Sequence, residues 1–299
     1  MNEHPSTRLD NVNIAFFGAG AMVEAILRGV VDARLVDPAR VTVMNRQNAE
    51  RLASLRQRYG VVTAADEEAR QEALRGADMI VLGMKPKDAA AALRMLAPIL
   101  SPRQLILSFI AGLSISTIDT LLGDNRPIAR TMPNTSSTIG LGATGISYSP
   151  AVTPAQRSQV EAIFAAVGIS AVVDEPLIEA VNGVSGSGPA YVYYLMEAMI
   201  AAGQQMGLTP EAARELTVQT VRGAAEMVRQ TGEDPTELRR KVTSPGGTTQ
   251  AAIETLDSFR FQEGMQAAIV HCAERAREMG EAIRREASSP GSHDNEQRK

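Results

Sequence analysis

The fold is decided by residues 12–33, VNIAFFGAGAMVEAILRGVVDA. The apolar run from Val12 to Phe17 predicts a short buried strand, and the apolar residues between Ala21 and Ala33 recur at the spacing of a helix. Gly18-Ala19-Gly20 stands directly between the two elements. This succession predicts a dinucleotide-binding unit, because Gly18 permits the tight turn and Gly20 lets a pyrophosphate approach the backbone.

The end of the next predicted strand, Val41 to Met44, bears on the choice of cofactor. Units that bind NAD usually place a carboxylate there to hold the ribose 2′-hydroxyl, whereas this chain has Asn45-Arg46. Without that carboxylate a 2′-phosphate can be accepted, and Arg46 can pair with it through charge-assisted hydrogen bonds. We therefore expect NADPH, with NADH as an alternative. The other interpretation is an ordinary solvated arginine on a loop.

Strand and helix patterns alternate up to about residue 174. Further strands are predicted at residues 61–62, 79–82, 105–110, 128–130, 145–148 and 170–173, and helices at residues 47–58, at residues 67–74 and from residue 154. This order is typical of a parallel sheet with helices on both faces. Ligands of such sheets bind where the strands end, which is where Lys85-Pro86 and a polar turn, Arg130–Thr135, are expected.

Beyond Asp174 the sequence shows only helical patterns. They cover residues 176–184, 189–206, 210–230 and 249–285. The predicted fold class is therefore α/β, with a Rossmann-like domain over residues 11–174 and an all-helical domain over residues 175–286. Residues 1–10 and 287–299 are polar and expected to be disordered. An apolar stripe at Tyr191, Tyr194, Leu195 and Ala198 indicates either core or a subunit interface.

A second glycine-rich turn lies in residues 242–257, VTSPGGTTQAAIETLD. Pro245-Gly246-Gly247 allows a sharp turn, and Thr248-Thr249 are expected at the capping positions of the helix that follows. A helix N-terminus presents unpaired N–H groups and the positive end of the dipole, which suits a carboxylate or phosphate. An ordinary capped helix is the alternative interpretation.

The composition excludes several classes of function. A net charge of −4 gives no reason to expect nucleic acid or an anionic membrane as a partner. Cys272 is the single cysteine, so neither an intramolecular disulfide nor a thiolate metal cluster is expected, and with three histidines no metal site is predicted. No apolar stretch approaches the ~20 residues of a membrane span, and the N-terminal residues lack a signal core, which favours the cytoplasm.

The absence of two proton-donor motifs from the sequence bears on which bond the protein reduces. A nucleotide domain joined to a helical domain suggests hydride transfer, and reduction of a C=O bond requires a strong proton donor. The Tyr-x-x-x-Lys and Lys-x-x-x-Asn patterns that supply such donors are both absent from the sequence. A protonated imine brings its own proton and needs only positioning, a carboxylate anchor and a hydroxyl near nitrogen. The glycine turn and Thr249 can provide these, so imine reduction is favoured.

Several sequence runs resemble the pyrroline-5-carboxylate reductases. The most specific is within residues 235–257, around Ser244 to Thr249. The others are VSGSGPAY at residues 184–191, RTMPNT at residues 130–135, and Phe17–Gly20 with Lys85-Pro86 in the nucleotide-binding half. In family order, these runs extend the resemblance from about residue 13 to residue 285.

The resemblance implies NAD(P)H-dependent reduction of 1-pyrroline-5-carboxylate to L-proline, the last step of proline biosynthesis. It also implies a homodimer formed by the helical domains, with a decamer as a higher assembly. Thr249 is then the catalytic candidate beside the ring nitrogen. The substrate-binding candidates are Ser244, Gly246, Gly247, Thr248 and Thr249. The cofactor-binding candidates are Gly18, Ala19, Gly20, Ala21, Met22, Asn45, Arg46, Lys85, Pro86 and Asn134.

Three positions depart from the family pattern: Ala21 replaces a frequent Asn, Asn182 a frequent Thr and Ser136 a frequent Pro. Ala21 puts one cofactor contact in doubt, and Asn182 puts one active-site or packing contact in doubt. Two alternatives stay open at this point. One is reduction of another cyclic imino acid, such as the six-membered homologue, and the other is a non-catalytic NADP(H)-binding regulatory paralogue.

Overall fold

The computed structural model describes residues 9–123 and 125–288. Eight strands form one sheet in the order β3-β2-β1-β4-β5-β6-β7-β8. The strands are β1 Ile14–Phe17, β2 Val41–Met44, β3 Val62–Ala64, β4 Met79–Leu82, β5 Leu105–Ser108, β6 Ile128–Met132, β7 Gly142–Tyr148 and β8 Gly168–Val172. The order reverses beside β1, so the predicted doubly wound arrangement is confirmed for the first six strands.

The expectation of a fully parallel sheet is wrong at one pair. β7 runs antiparallel to β6, whereas β8 runs parallel to β7. The physical reason is the length of the connections. Parallel neighbours need a crossover of a dozen or more residues, and the segment 133–141 between β6 and β7 is too short for one. A full helix lies between β7 and β8 and allows the parallel pairing.

Helices cover both faces of the sheet, as predicted. In this half of the chain they are α1 Ala21–Asp32, α2 Ala49–Tyr59, α3 Glu67–Gly76, α4 Ala89–Leu96, α5 Ile115–Leu122 and α6 Pro154–Ala165. Helices α1, α2 and α6 bury their apolar side chains in one cluster with Phe16 and Val81. Helices α3, α4 and α5 bury theirs in a second cluster with Ala15 and Ile80. Successive strand residues thus point to opposite faces.

The rest of the described chain is helical. Its helices are α7 Ile178–Val181, α8 Gly188–Gln205, α9 Pro210–Thr231, α10 Pro235–Lys241, α11 Thr248–Ser258 and α12 Phe261–Ser288. The described residues form two compact units, one of residues 9–187 with 272–288 and the other of residues 188–271. The division into domains at residue 174 stays a prediction. No helix in the described ranges is long and apolar enough to cross a membrane.

Two predicted helices are corrected by the structure. The helix expected over residues 249–285 is two helices, because Arg260 adopts a left-handed φ of 54° between α11 and α12. The helix expected over residues 176–184 is a 3-10 turn, the short α7 and then a π-helical segment, Asn182–Gly186. Helix α10 was not predicted, although Asp234 caps it and Pro235 begins it, as is common at helix starts.

The expected disorder at both ends is also corrected in part. Leu9 is fully buried, and its N–H donates to Leu35 O at 2.7 Å, so ordered structure includes Leu9. At the other end α12 continues to Ser288. The remainder of the two predicted segments, residues 1–8 and 289–299, lies outside the described residues.

Candidate active site

The glycine turn after β1 has the geometry that a dinucleotide requires. Gly18 has φ 126°, and a Cβ there would lie 2.6 Å from Gly83 O, so only glycine fits. Gly20 is the N-cap of α1 with no capping side chain, and a Cβ on Gly20 would meet nothing within 4 Å. Open space therefore faces the start of α1, where Ala21 and Met22 are the first residues. A pyrophosphate fits this N-terminus.

The turn after β2 contains Asn45 and Arg46, the residues predicted to favour NADPH over NADH. Asn45 Oδ1 accepts a hydrogen bond from Gln47 N at 3.2 Å, which shapes the turn. Arg46 is exposed and makes no ion pair or hydrogen bond with any described residue. Its charge is therefore free to pair with an anion from solvent.

Arg51 was missed by the sequence reasoning, because only its position on a helix could be predicted. Its Nε donates to Ala19 O of the glycine turn at 3.0 Å, and its Nη2 bonds Glu24 at 2.5 Å. Glu24 also accepts from Tyr59 and pairs with Arg58. Burial alone would raise the pKa of Glu24, but these hydrogen bonds and both arginine charges lower it below its ordinary value. The cluster joins α1, α2 and the glycine turn.

Lys85-Pro86 and Asn134 follow two other strands at the same end of the sheet. Lys85 is exposed and precedes the 3-10 helix Pro86–Asp88. Asn134 is buried, donates to Ser185 O at 3.0 Å and accepts from Ala143 N at 3.3 Å. The structure thus places the ends of β1, β2, β4 and β6 on one edge, although two polar atoms of Asn134 already have protein partners.

Arg130 belongs to β6, as the strand predicted over residues 128–130 requires, and the polar turn expected over residues 130–135 begins only after Met132. Its side chain is 5% exposed, with Nη1 at 3.1 Å from Glu175 and Nη2 at 2.6 Å from Glu179. Glu175 also accepts from the N–H of Ile115, the first residue of α5. One buried guanidinium therefore joins β6 to the segment that leads into the π-helical turn.

The π-helical segment Asn182–Gly186 contains the first three residues of the family-like run over residues 184–191. Asn182 Nδ2 lies 3.8 Å from Cys272 Sγ, and the Cys272 thiol donates to Ser187 at 3.2 Å. A Cβ on Gly186 would lie 2.7 Å from Asn182 Oδ1. Asn182, the departure from the usual threonine, is thus accommodated by a packing contact with α12 and the neighbouring glycine.

The second glycine turn is confirmed as a helix start, but the threonines do not cap it. Gly247 is the N-cap, and Thr248 and Thr249 are the first two residues of α11. Gly246 has φ 72° and donates to Gln250 Oε1 at 2.7 Å, while Gly247 donates to Ser244 O at 3.0 Å. The first-turn N–H groups of Thr248 and Thr249 have no acceptor within the helix, so they are open to an anion.

The candidate residues fall into two groups. The cofactor candidates lie in the first compact unit, and Ser244 to Thr249 lie in the second. Thr249 is half-buried, whereas Ser244 and Thr248 are exposed. Of the apolar stripe on α8, Tyr194 is 77% exposed, so the alternative that the stripe is core is wrong for this chain by itself.

Comparison with known proteins decides the family. Residues 175–279 match the model of the pyrroline-5-carboxylate reductase dimerisation domain, and residues 13–112 match that of the NADP oxidoreductases dependent on coenzyme F420. A pyrroline-5-carboxylate reductase of Bacillus spizizenii is 39% identical over 93% of this chain and 93% of its own length. This chain belongs to the pyrroline-5-carboxylate reductase family. A member from Pseudomonas aeruginosa is 39% identical over 90% of this chain and 97% of that relative.

Solved structures of pyrroline-5-carboxylate reductases agree with the fold. The structure from Coxiella burnetii has a TM-score of 0.83 and 38% identity, and covers 90% of this chain and 99% of its own. The structure from Plasmodium falciparum, with NADP bound, has a TM-score of 0.82 and 27% identity, covering 91% and 99%. The predicted fold class and the resemblance are both confirmed.

Proposed function

We propose that this chain reduces 1-pyrroline-5-carboxylate to L-proline with NADPH, as the last step of proline biosynthesis. Family membership over nearly the whole chain supports the reaction. Among the residues themselves, the start of α11 gives the main support for this reaction. Two backbone N–H groups and two threonine hydroxyls lie there directly after a glycine turn.

The cofactor is held by residues at the edge of the sheet. The uncapped start of α1 binds the pyrophosphate through first-turn N–H groups, with Gly18, Ala19 and Gly20 keeping the backbone close. Arg46 and Asn45 bind the ribose 2′-phosphate. Lys85, Pro86 and Asn134 line the same edge. When bound, the reduced nicotinamide supplies the hydride.

The substrate is held by the second glycine turn. The N–H groups of Thr248 and Thr249, with the dipole of α11, bind the carboxylate, while Gly246 and Gly247 set the shape of the turn and Ser244 adds a hydroxyl. The Thr249 hydroxyl donates a hydrogen bond to the lone pair that develops on the ring nitrogen as hydride is added. No residue has to act as a strong acid, because a protonated imine that accepts hydride becomes a neutral amine.

The enzyme assembles as a homodimer through its helical region, with a decamer as the higher assembly. Residues 175–279 match a dimerisation domain, and large apolar side chains on α8, α9 and α11 are exposed in the single chain. Large exposed apolar surfaces of this kind mark protein interfaces. The domain division at residue 174, two residues after β8 ends, accords with the start of that match.

The test is a set of initial rates with pyrroline-5-carboxylate and with its six-membered analogue, each with NADPH and NADH. We expect the five-membered imine and NADPH to give the highest kcat/KM. The Arg46→Ala variant should raise KM for NADPH and leave NADH nearly unchanged. A preference for the six-membered ring would establish the homologous imino acid as the substrate, and an absence of turnover would establish a binding paralogue. An equal loss with both cofactors would remove Arg46 from 2′-phosphate recognition.

A further inference from the structure

A third residue, Arg70, forms a hydrogen bond with the backbone of the Asn45-Arg46 turn. Arg70, on α3, donates from Nη2 to Asn45 O at 3.2 Å and also to Ala65 O. Asn45 follows β2, and Ala65 follows β3, which is the edge strand. One guanidinium therefore joins the ends of two neighbouring strands directly beside Arg46.

The hydrogen bond from Arg70 to Asn45 O restrains the backbone from which the Arg46 side chain extends. The carbonyl of Asn45 and the N–H of Arg46 belong to one planar peptide unit, so holding the oxygen orients the whole plane. The side chain of Asn45 is held as well, because its Oδ1 accepts from Gln47 N. With both oxygens of Asn45 bonded, the Cα of Arg46 has a fixed starting position.

The charge of Arg70 is only weakly neutralised. The nearest carboxylate, that of Glu67, lies 3.7 Å from Nη1 and is 64% exposed, and such pairs contribute little. The Arg70 side chain itself is 22% exposed, and its Nε is buried without a hydrogen-bond partner among the described residues. Its other contacts are to neutral carbonyls. The Arg70 guanidinium therefore holds the carbonyls of Asn45 and Ala65 without a strong competing carboxylate.

We infer that Arg70 is a positioning residue for recognition of the ribose 2′-phosphate, and so sets the preference for NADPH over NADH together with Arg46. The inference rests on the proposed role of Arg46. A 2′-phosphate pairs with the charge of an Arg46 that is held in one orientation. A 2′-hydroxyl has no charge, so Arg70 contributes almost nothing to the binding of NADH.

The experiment measures cofactor binding by the full-length protein without substrate, using the fluorescence of NADPH and NADH. Arg70→Met removes the charge and the contact to Asn45 but keeps an apolar side chain of similar length. We expect Kd for NADPH to rise about 3- to 10-fold and Kd for NADH to change less than about 2-fold. Arg75→Met is the matched control, because Arg75 is exposed on the same helix and bonds only Gln71 in the described structure. It should leave both values unchanged.

A double-mutant cycle with Arg46→Ala tests whether Arg70 acts through Arg46. If it does, Arg70→Met should add little in the Arg46→Ala background, because contacts through one partner are not additive. Equal weakening of both cofactors, or no change for NADPH, would overturn the inference. If Arg70→Met fails to fold, Arg70→Lys keeps the charge without the planar fork, and the same comparison of the two cofactors decides.

These readouts separate the inference from the proposed function. A protein that is inactive but binds NADPH more tightly than NADH would refute the proposed reaction. The role of Arg70 would then still be decided by the Kd values of Arg70→Met for the two cofactors. If Arg46→Ala binds NADPH normally, the proposed 2′-phosphate site is wrong. If Arg46→Ala weakens NADPH and Arg70→Met does not, only the role of Arg70 is wrong.

Discussion

Replacing Arg130 with methionine tests the buried ionic contact between β6 and the segment that leads to the π-helical turn. Methionine fills most of the space but leaves the carboxylates of Glu175 and Glu179 without their cation. Glu175 is 29% exposed and keeps the N–H of Ile115, whereas Glu179 is 10% exposed and has no other hydrogen-bond donor among the described residues. Leaving such a charge buried and unpaired costs about 3–5 kcal/mol.

The expected result is a lower unfolding temperature. For a unit of this size the loss corresponds to about 6–20 °C, measured by thermal unfolding at fixed protein concentration. Adding Glu179→Gln should restore part of the stability, because it removes the buried charge that Arg130→Met leaves without a cation.

Arg157→Met provides the control for this experiment. Arg157 is exposed and stacks on the Tyr148 ring at 4.8 Å, a contact worth about 0.5–1 kcal/mol at such a site. A decrease for Arg130→Met that is as small as in the control would refute the reasoning. It would mean that Glu179 reaches solvent or another partner once Arg130 is removed.

Thr249→Ala should lower kcat/KM about 10- to 100-fold without abolishing turnover, because one hydrogen bond that is stronger in the transition state contributes about that factor. His271→Ala should have little effect on kcat/KM. Steady-state kinetics check both variants, and wild-type rates for Thr249→Ala would contradict the assignment. Gly280→Ala should lower the unfolding temperature, because its Cβ would lie 2.4 Å from Gly112 O, while Gly264→Ala on the same helix has open space and should not. Light scattering should show a dimer or larger assembly at assay concentration, and an active monomer would refute it.

The nucleotide-binding half could be predicted closely because its signals are local. The bounds predicted for β2 and β4, residues 41–44 and 79–82, are those in the structure. β4 is a continuous apolar run, as expected for a strand buried on both faces, and β2 is interrupted only by Thr42. Each strand is followed by a polar residue or glycine. The start of α1 at Ala21 was likewise marked by the glycine turn before it.

The contacts that shape the candidate site could not be predicted, because their partners are far apart in the sequence. Arg130 meets Glu175 and Glu179 45 and 49 residues later, and Arg70 reaches back 25 residues to Asn45. The break between α11 and α12 had no local signal either, since neither Phe259 nor Arg260 is a residue that usually ends a helix. Pairing and breaks of this kind depend on tertiary packing.

Thr248 and Thr249 were expected to cap α11, but its N-cap is Gly247, which has no capping side chain. The start of α1 shares this feature. Six helices of the scaffold begin with a side chain that accepts from their own first turn: Asn48, Asp66, Ser114, Thr153, Thr209 and Asp234. Helices α1 and α11 begin at Gly20 and Gly247, which lack such a bond and forgo about 0.5–2 kcal/mol that a capping side chain contributes.

At Gly20 the backbone itself does not explain the choice of glycine. Its φ of −73° is accessible to any residue, and a Cβ would meet nothing within 4 Å. A serine there would accept a hydrogen bond from one first-turn N–H and occupy part of the space in front of the helix. The absence of that side chain keeps both the donors and the space open, which is what an anionic ligand at the helix start requires.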